Sequence, residues 1–145
     1  MGAIKPVIRF EAADVRLSLS GRLKLKKFLI NQSLEEGKSL GELTYVFCSD
    51  AFLQRINSQF LKHEDLTDII TFDLSEGKGE IVGEIYISTE RVSENAQLFK
   101  TDFSSELHRV MFHGFLHLMG FNDKSDPDRQ VMREKEDEYL GKYGI

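Results

Sequence analysis

Two histidines and an aspartate in the segment His113-Gly114-Phe115-Leu116-His117-Leu118-Met119-Gly120-Phe121-Asn122-Asp123 have the types and spacing of a metal site. Residues i and i+4 share a helix face, so His113 and His117 can point at one ion. Gly120 is a natural left-handed cap, and the chain returning after it can carry Asp123 back to the same point. Two imidazoles and one carboxylate leave the fourth position of a single tetrahedral Zn²⁺ open to water, as in catalytic rather than structural zinc sites. Such an ion can lower the pKa of bound water toward about 7 and polarise a phosphoryl or carbonyl oxygen. In His-Glu-x-x-His peptidases the residue after the first histidine is the general base. Here that residue is Gly114, so peptidase chemistry lacks its usual base.

The plainer alternative is that each histidine bonds a backbone carbonyl. That suits a lone buried histidine better than a His-x₃-His pair followed by glycine and aspartate. Residues Val110 to Phe121 are apolar nearly all round, which marks a buried helix. Burial disfavours imidazolium, and an unpaired buried polar group costs about 1–3 kcal/mol. A metal ion satisfies both neutral rings at once. Gly114, at a mid-helix cost of about 0.5–1 kcal/mol, predicts close approach of another element or of a substrate to this face.

The elements that must position these groups follow from periodicity. Val7 to Glu11 and Leu43 to Cys48 read as strands. Ser20 is a cap candidate for a helix to about Glu36, and Ser49 or Asp50 for a second to about Leu61. Thr67 to Leu74 and Ile81 to Ser88 are β-rich runs joined by a glycine-containing loop, and so are paired antiparallel. Further helices are expected from Ser88 or Thr89 to Phe99, from Phe103 or Ser104 to Met119, and from Pro127 to Leu140. The predicted fold class is α+β: a small mixed sheet of about four strands with one hairpin, covered by about five helices, in one domain over 1–145.

A chain of 145 residues with 41% hydrophobic and 30% charged residues has an ordinary globular composition. No apolar run approaches the roughly 18 residues needed to span a bilayer, and the first residues lack a signal peptide's apolar centre. A cytoplasmic protein without membrane association is the expectation. One cysteine, Cys48, forms no internal disulfide and closes an apolar run, which predicts an inert buried thiol. The net charge of −5 argues against nonspecific coating of nucleic acid. A local basic patch can still act, and Arg22, Lys24, Lys26 and Lys27 are the densest one, though a solvated helix face explains them more simply.

With these residues in place, the chain resembles the YbeY family of bacterial metal-dependent endoribonucleases of ribosomal RNA maturation. The segment from His113 through Phe121 follows that family's His-Gly-x-Leu-His-Leu-x-Gly-Tyr/Phe signature. Asn122 then stands where the signature has aspartate, and Asp123 where it has a third histidine. Asp65-Leu66-Thr67-Asp68-Ile69-Ile70-Thr71-Phe72 is similar to its Asp-x-Pro-Thr-Asp-Val-Leu-Ser-Phe stretch, and Gly83-Glu84-Ile85-Tyr86-Ile87-Ser88 to its Gly-Asp-Ile-x-Ile-Ser. The resemblance implies zinc held by His113, His117 and Asp123, and cleavage of single-stranded ribosomal RNA by a metal-activated water or metal-polarised phosphate. It also implies a ribosomal context, with the small subunit as partner. With a carboxylate as third ligand, water at the site should be less acidic, and harder divalent ions should compete better.

The family's phosphate-binding arginine aligns with Leu61. Lys62 or His63 can substitute as substrate-binding residues, although lysine lacks the bidentate fork. Their simpler readings are a solvated helix end and a loop hydrogen bond. Thr67 and Asp68 read first as turn chemistry, with a role at the site's edge second. Glu84 and Glu106 are weaker candidates for supporting the site. The rival readings are a zinc hydrolase of another substrate, such as a peptidase, and a ribosome-associated binding module with a structural metal.

Overall fold

Parallel strands need crossover connections, and this chain supplies them with helices. The structure, a computed structural model, describes residues 5–61, 67–77 and 79–145. Among these the order is β1 (Val7–Ala12), α1 (Arg22–Glu35), β2 (Ser39–Cys48) and α2 (Asp50–Ile56), the last continued by a π-helical turn (Asn57–Leu61). There follow β3 (Ile69–Asp73), β4 (Glu80–Ser88), α3 (Thr89–Leu98), α4 (Phe103–Leu118) and α5 (Asp126–Tyr143). The sheet order is β1-β2-β4-β3, with β1/β2 and β2/β4 parallel and β3/β4 antiparallel. This is the α+β fold with a four-stranded mixed sheet and one hairpin that the patterning predicts.

Side chains alternate across a strand, and here each face of the sheet carries an apolar cluster. Leu43, Tyr45, Phe47, Ile85 and Ile87 point into the main core, where they meet Leu25 and Leu29 of α1, Phe112, Phe115 and Leu116 of α4, and Tyr139 of α5. On the other face Cys48, Ile70, Phe72 and Tyr86 pack with Leu53 and Ile56 of α2. Cys48 is fully buried, and burial pushes its thiol up to about 12, so it is inert. No helix of the described residues is long and apolar enough to cross a membrane.

Several boundaries depart from the sequence reading. Gly21, at φ 70°, rather than Ser20, caps α1, and no side chain bonds its first turn. The left-handed entry moves the cap one residue on. Strand β2 begins at Ser39, earlier than expected, because its polar end extends the ladder against Glu80 to Val82. The second helix keeps α geometry only to Ile56. Ser125 caps α5 by accepting from the Asp128 amide, and the helix runs on to Tyr143, whose side chain, like those of Tyr139 and Leu140, is buried.

Three of the four basic residues at the start of α1 make contacts within the fold. Arg22 donates to the Leu19 carbonyl, Lys24 donates to the Tyr143 carbonyl and lies over its ring, and Lys26 lies over Phe10.

Candidate metal centre

Helix α4 carries the two histidines because its start, packing and end are each fixed. Asp102 accepts from the Ser105 amide at 2.7 Å and opens the helix. A Cβ on Gly114 would fall 2.9 Å from both Ile69 Cδ1 and Ile85 Cγ2, so α4 lies directly on β3 and β4. Gly120, at φ 106°, then ends the helix with two closing bonds, Phe121 N to Leu116 O at 3.0 Å and Gly120 N to His117 O at 3.1 Å. That left-handed stop turns the chain back over its own last turn. Asp123 returns with it.

The three predicted donor groups converge. His113 Nε2 lies 3.1 Å from His117 Nε2, and Asp123 Oδ2 lies 3.3 Å from the first and 3.5 Å from the second. Four tetrahedral ligands at the usual zinc bond lengths of about 2.0–2.1 Å stand about 3.3–3.4 Å apart, so the triangle fits one ion. Two imidazole nitrogens that close must share a proton or a cation, since both cannot donate to each other. His113, His117 and Asp123 can therefore hold a metal ion. Their side chains remain 23%, 28% and 39% exposed, so the group opens to solvent.

The opening is a cavity of about 500 Å³ lined by Asn57, Thr67, Asp68, Thr71, Asp73 and the three donor residues. A second cavity of about 300 Å³ shares Asp68, His113 and Asp123 with it and is walled by Glu106, Arg109, Arg129, Arg133 and Glu136. Thr67 does turn chemistry, its hydroxyl bonded to the Ile69 carbonyl at 3.1 Å. Asp68 does more than that: it lines both cavities, and burial pushes its carboxyl above the ordinary range against the pull of His113.

Burial alone pulls the His113 imidazole down, but the Glu136 carboxylate on its Nδ1, with Asp123 and Asp68 close by, holds it above its ordinary value. For His117, burial and then the neighbouring His113 win, and the ring is held below. The paired rings thus differ in basicity.

Other sequence expectations fare unequally. Glu106 is buried, lines the second cavity, and has its carboxyl pushed up by burial. Glu84 does not reach the cluster. Gly83 and Ile85 face α4, so Glu84 points to the opposite side of the sheet, where the Tyr86 hydroxyl donates to it at 3.3 Å. Lys62 and His63 lie outside the described residues. Sequence reasoning missed Glu136 on α5, whose Oε2 accepts from His113 Nδ1 at 2.6 Å. No spacing rule links those two helices.

This chain is similar in sequence to known proteins that share one description. A family model described as "Endoribonuclease YbeY" matches residues 10–144. A protein of Flavobacterium psychrophilum described as Endoribonuclease YbeY is 58% identical over 107 residues, 74% of this chain and 76% of its own length. Another of that description, from Cytophaga hutchinsonii, is 46% identical over 133 residues, 92% of this chain and 93% of its own. Among solved structures, the solution structure of TM1509 from Thermotoga maritima superposes with a TM-score of 0.63 at 29% identity, covering 94% of this chain and 91% of that one.

Proposed function

The chain belongs to the endoribonuclease YbeY family, and from that premise we propose that it is a zinc-dependent endoribonuclease, one domain over 1–145, that acts in the cytoplasm. Its substrate is single-stranded ribosomal RNA, in maturation and quality control of the ribosome, with the small subunit as partner. The observation that carries this reading is the convergence of His113 Nε2, His117 Nε2 and Asp123 Oδ2 within 3.5 Å at the mouth of an open cavity.

His113, His117 and Asp123 would hold one ion. Bound there, it supplies a Lewis acid to a phosphodiester oxygen and makes water a better nucleophile at neutral pH. The residues around it do the rest. The two imidazoles enter as neutral donors and Asp123 as an anion, so the protein itself adds one negative charge to the group. Asp68, with its carboxyl raised by burial, stands in the wall beside His113 where a proton can be taken up or released. Lys62 and His63 contact substrate phosphate. The partial exposure of all three donors supports a reactive over a purely structural metal, since closed sites serve structure. Gly114 in the place of a peptidase's glutamate supports RNA over protein as substrate.

The test is cleavage of a labelled single-stranded RNA, and in parallel of an unfolded protein, by purified enzyme with zinc and after chelation. RNA cut only with metal, and protein left intact, is the expected result. Protein cleavage, or ribosome binding without RNA cleavage in any divalent metal, would replace the proposal with one of its rivals.

A further inference from the structure

We propose that Glu136 is the positioning residue of the metal centre, holding the His113 ring by Nδ1 so that Nε2 faces the ion, with Arg109 holding Glu136 in turn. The inference rests on the reading of His113, His117 and Asp123 as ligands.

Both oxygens of Glu136 are committed. Oε2 accepts from His113 Nδ1 at 2.6 Å, and Oε1 accepts from Arg109 Nη1 at 3.0 Å. Arg109 is itself fixed by a second bond, from Nη2 to Asp137 Oδ1 at 2.7 Å. The Glu136 side chain is only 8% exposed. A carboxylate that far from water is costly unless its lone pairs are filled, and here a guanidinium and an imidazole fill them.

The chemical consequence is a choice of tautomer. A neutral imidazole has one N–H, and an ionised carboxylate only accepts. The proton therefore sits on Nδ1, and the Nε2 lone pair points toward His117 Nε2 and Asp123 Oδ2, which lie 3.1 and 3.3 Å away. The negative charge behind the ring also makes Nε2 a better electron donor. Carboxylates behind ligating histidines work in this way, and their loss weakens metal affinity about 10–100-fold. A role confined to joining α4 and α5 would change stability and leave affinity alone.

The decisive variant is Glu136→Gln in the full chain, which keeps shape and one acceptor but removes the charge. Zinc affinity is read by competition with a chromophoric chelator, and geometry by the visible absorption of bound Co²⁺. An affinity about 10–100-fold weaker, with an altered cobalt spectrum in a protein that still folds, is expected. Wild-type affinity and an unchanged spectrum would overturn the assignment of Glu136. If Glu136→Gln does not fold, nitrogen NMR of the zinc-loaded wild type decides, since a proton on His113 Nδ1 is expected and one on Nε2 overturns the proposal. A wild-type protein that takes up neither ion fails earlier, at the ligand assignment, so the two failures are distinguishable by the wild-type titration alone.

Discussion

The Cα of Gly114 faces Ile85 so closely that a single added carbon would stand 2.9 Å from Ile85 Cγ2. Glycine in mid-helix forgoes about 1 kcal/mol of helix propensity, and contact with the sheet offsets it. Gly114→Ala should therefore destabilise the protein by up to about 2 kcal/mol net, overpacking of about 1–3 kcal/mol less the propensity gain of about 1 kcal/mol. It should also lift the histidine turn off β4 and weaken metal binding. Urea unfolding and zinc titration measure both, and a more stable variant would contradict the close packing.

Asp123 distinguishes this site from one built of three histidines. Asp123→Ala should leave purified protein largely without metal, and Asp123→His should shift preference from harder ions such as Mn²⁺ toward Zn²⁺. Elemental analysis after dialysis against mixed ions measures both. Unchanged metal content in Asp123→Ala would remove this residue from the ligand set.

His108 carries a pH dependence separate from the metal. The residue is buried, its Nδ1 donates to the Ser104 carbonyl at 2.7 Å, and its Nε2 finds no hydrogen-bond partner among the described residues. Burial holds its pKa below the ordinary 6.5, with Lys24 nearby adding to the effect. Between that depressed value and 6.5 the unfolded chain binds more protons than the folded one, so this contribution is complete above 6.5 and is lost as pH falls through the window. The urea midpoint of wild type should drop more between pH 7.5 and 5.5 than that of His108→Phe. Glu106 and Asp68, whose raised carboxyls act in the opposite sense, are common to both proteins and cancel in the difference. Parallel curves would refute the assignment.

Tyr45 ties the central strand to the helix that carries His113 and His117. Its fully buried hydroxyl donates to the Met111 carbonyl at 3.0 Å. Tyr45→Phe should cost about 0.5–1.5 kcal/mol, read as a lower urea midpoint with an unchanged slope. No shift would mean that the bond contributes nothing net.

What the sequence revealed of the site is what lies close in the chain. His113 and His117 share a helix face and Asp123 follows the cap, so local periodicity brings them together. Glu136 was invisible because only the packing of α5 on α4 puts it behind His113. Glu84 misled for a related reason: alternation shows that one face of β4 is buried, but not which face carries the site. The strand types and the hairpin were legible from β-rich runs and glycine punctuation. The order β1-β2-β4-β3 was not, because ladder pairing is decided by which faces meet in the core. Helix ends drifted where glycine or a polar ladder end, rather than hydrophobic pattern, set the boundary.

Helix α5 is fastened to α1 by Tyr139 to Glu36, Lys135 to Glu36, Lys142 to Glu35, and Lys24 to the Tyr143 carbonyl. Glu136 rides on that fastened helix. During synthesis, which proceeds from the amino terminus, both imidazoles and Asp123 emerge before the carboxylate that steadies His113. Until α5 has been made and has docked on α1, His113 lacks the carboxylate that lies behind its Nδ1.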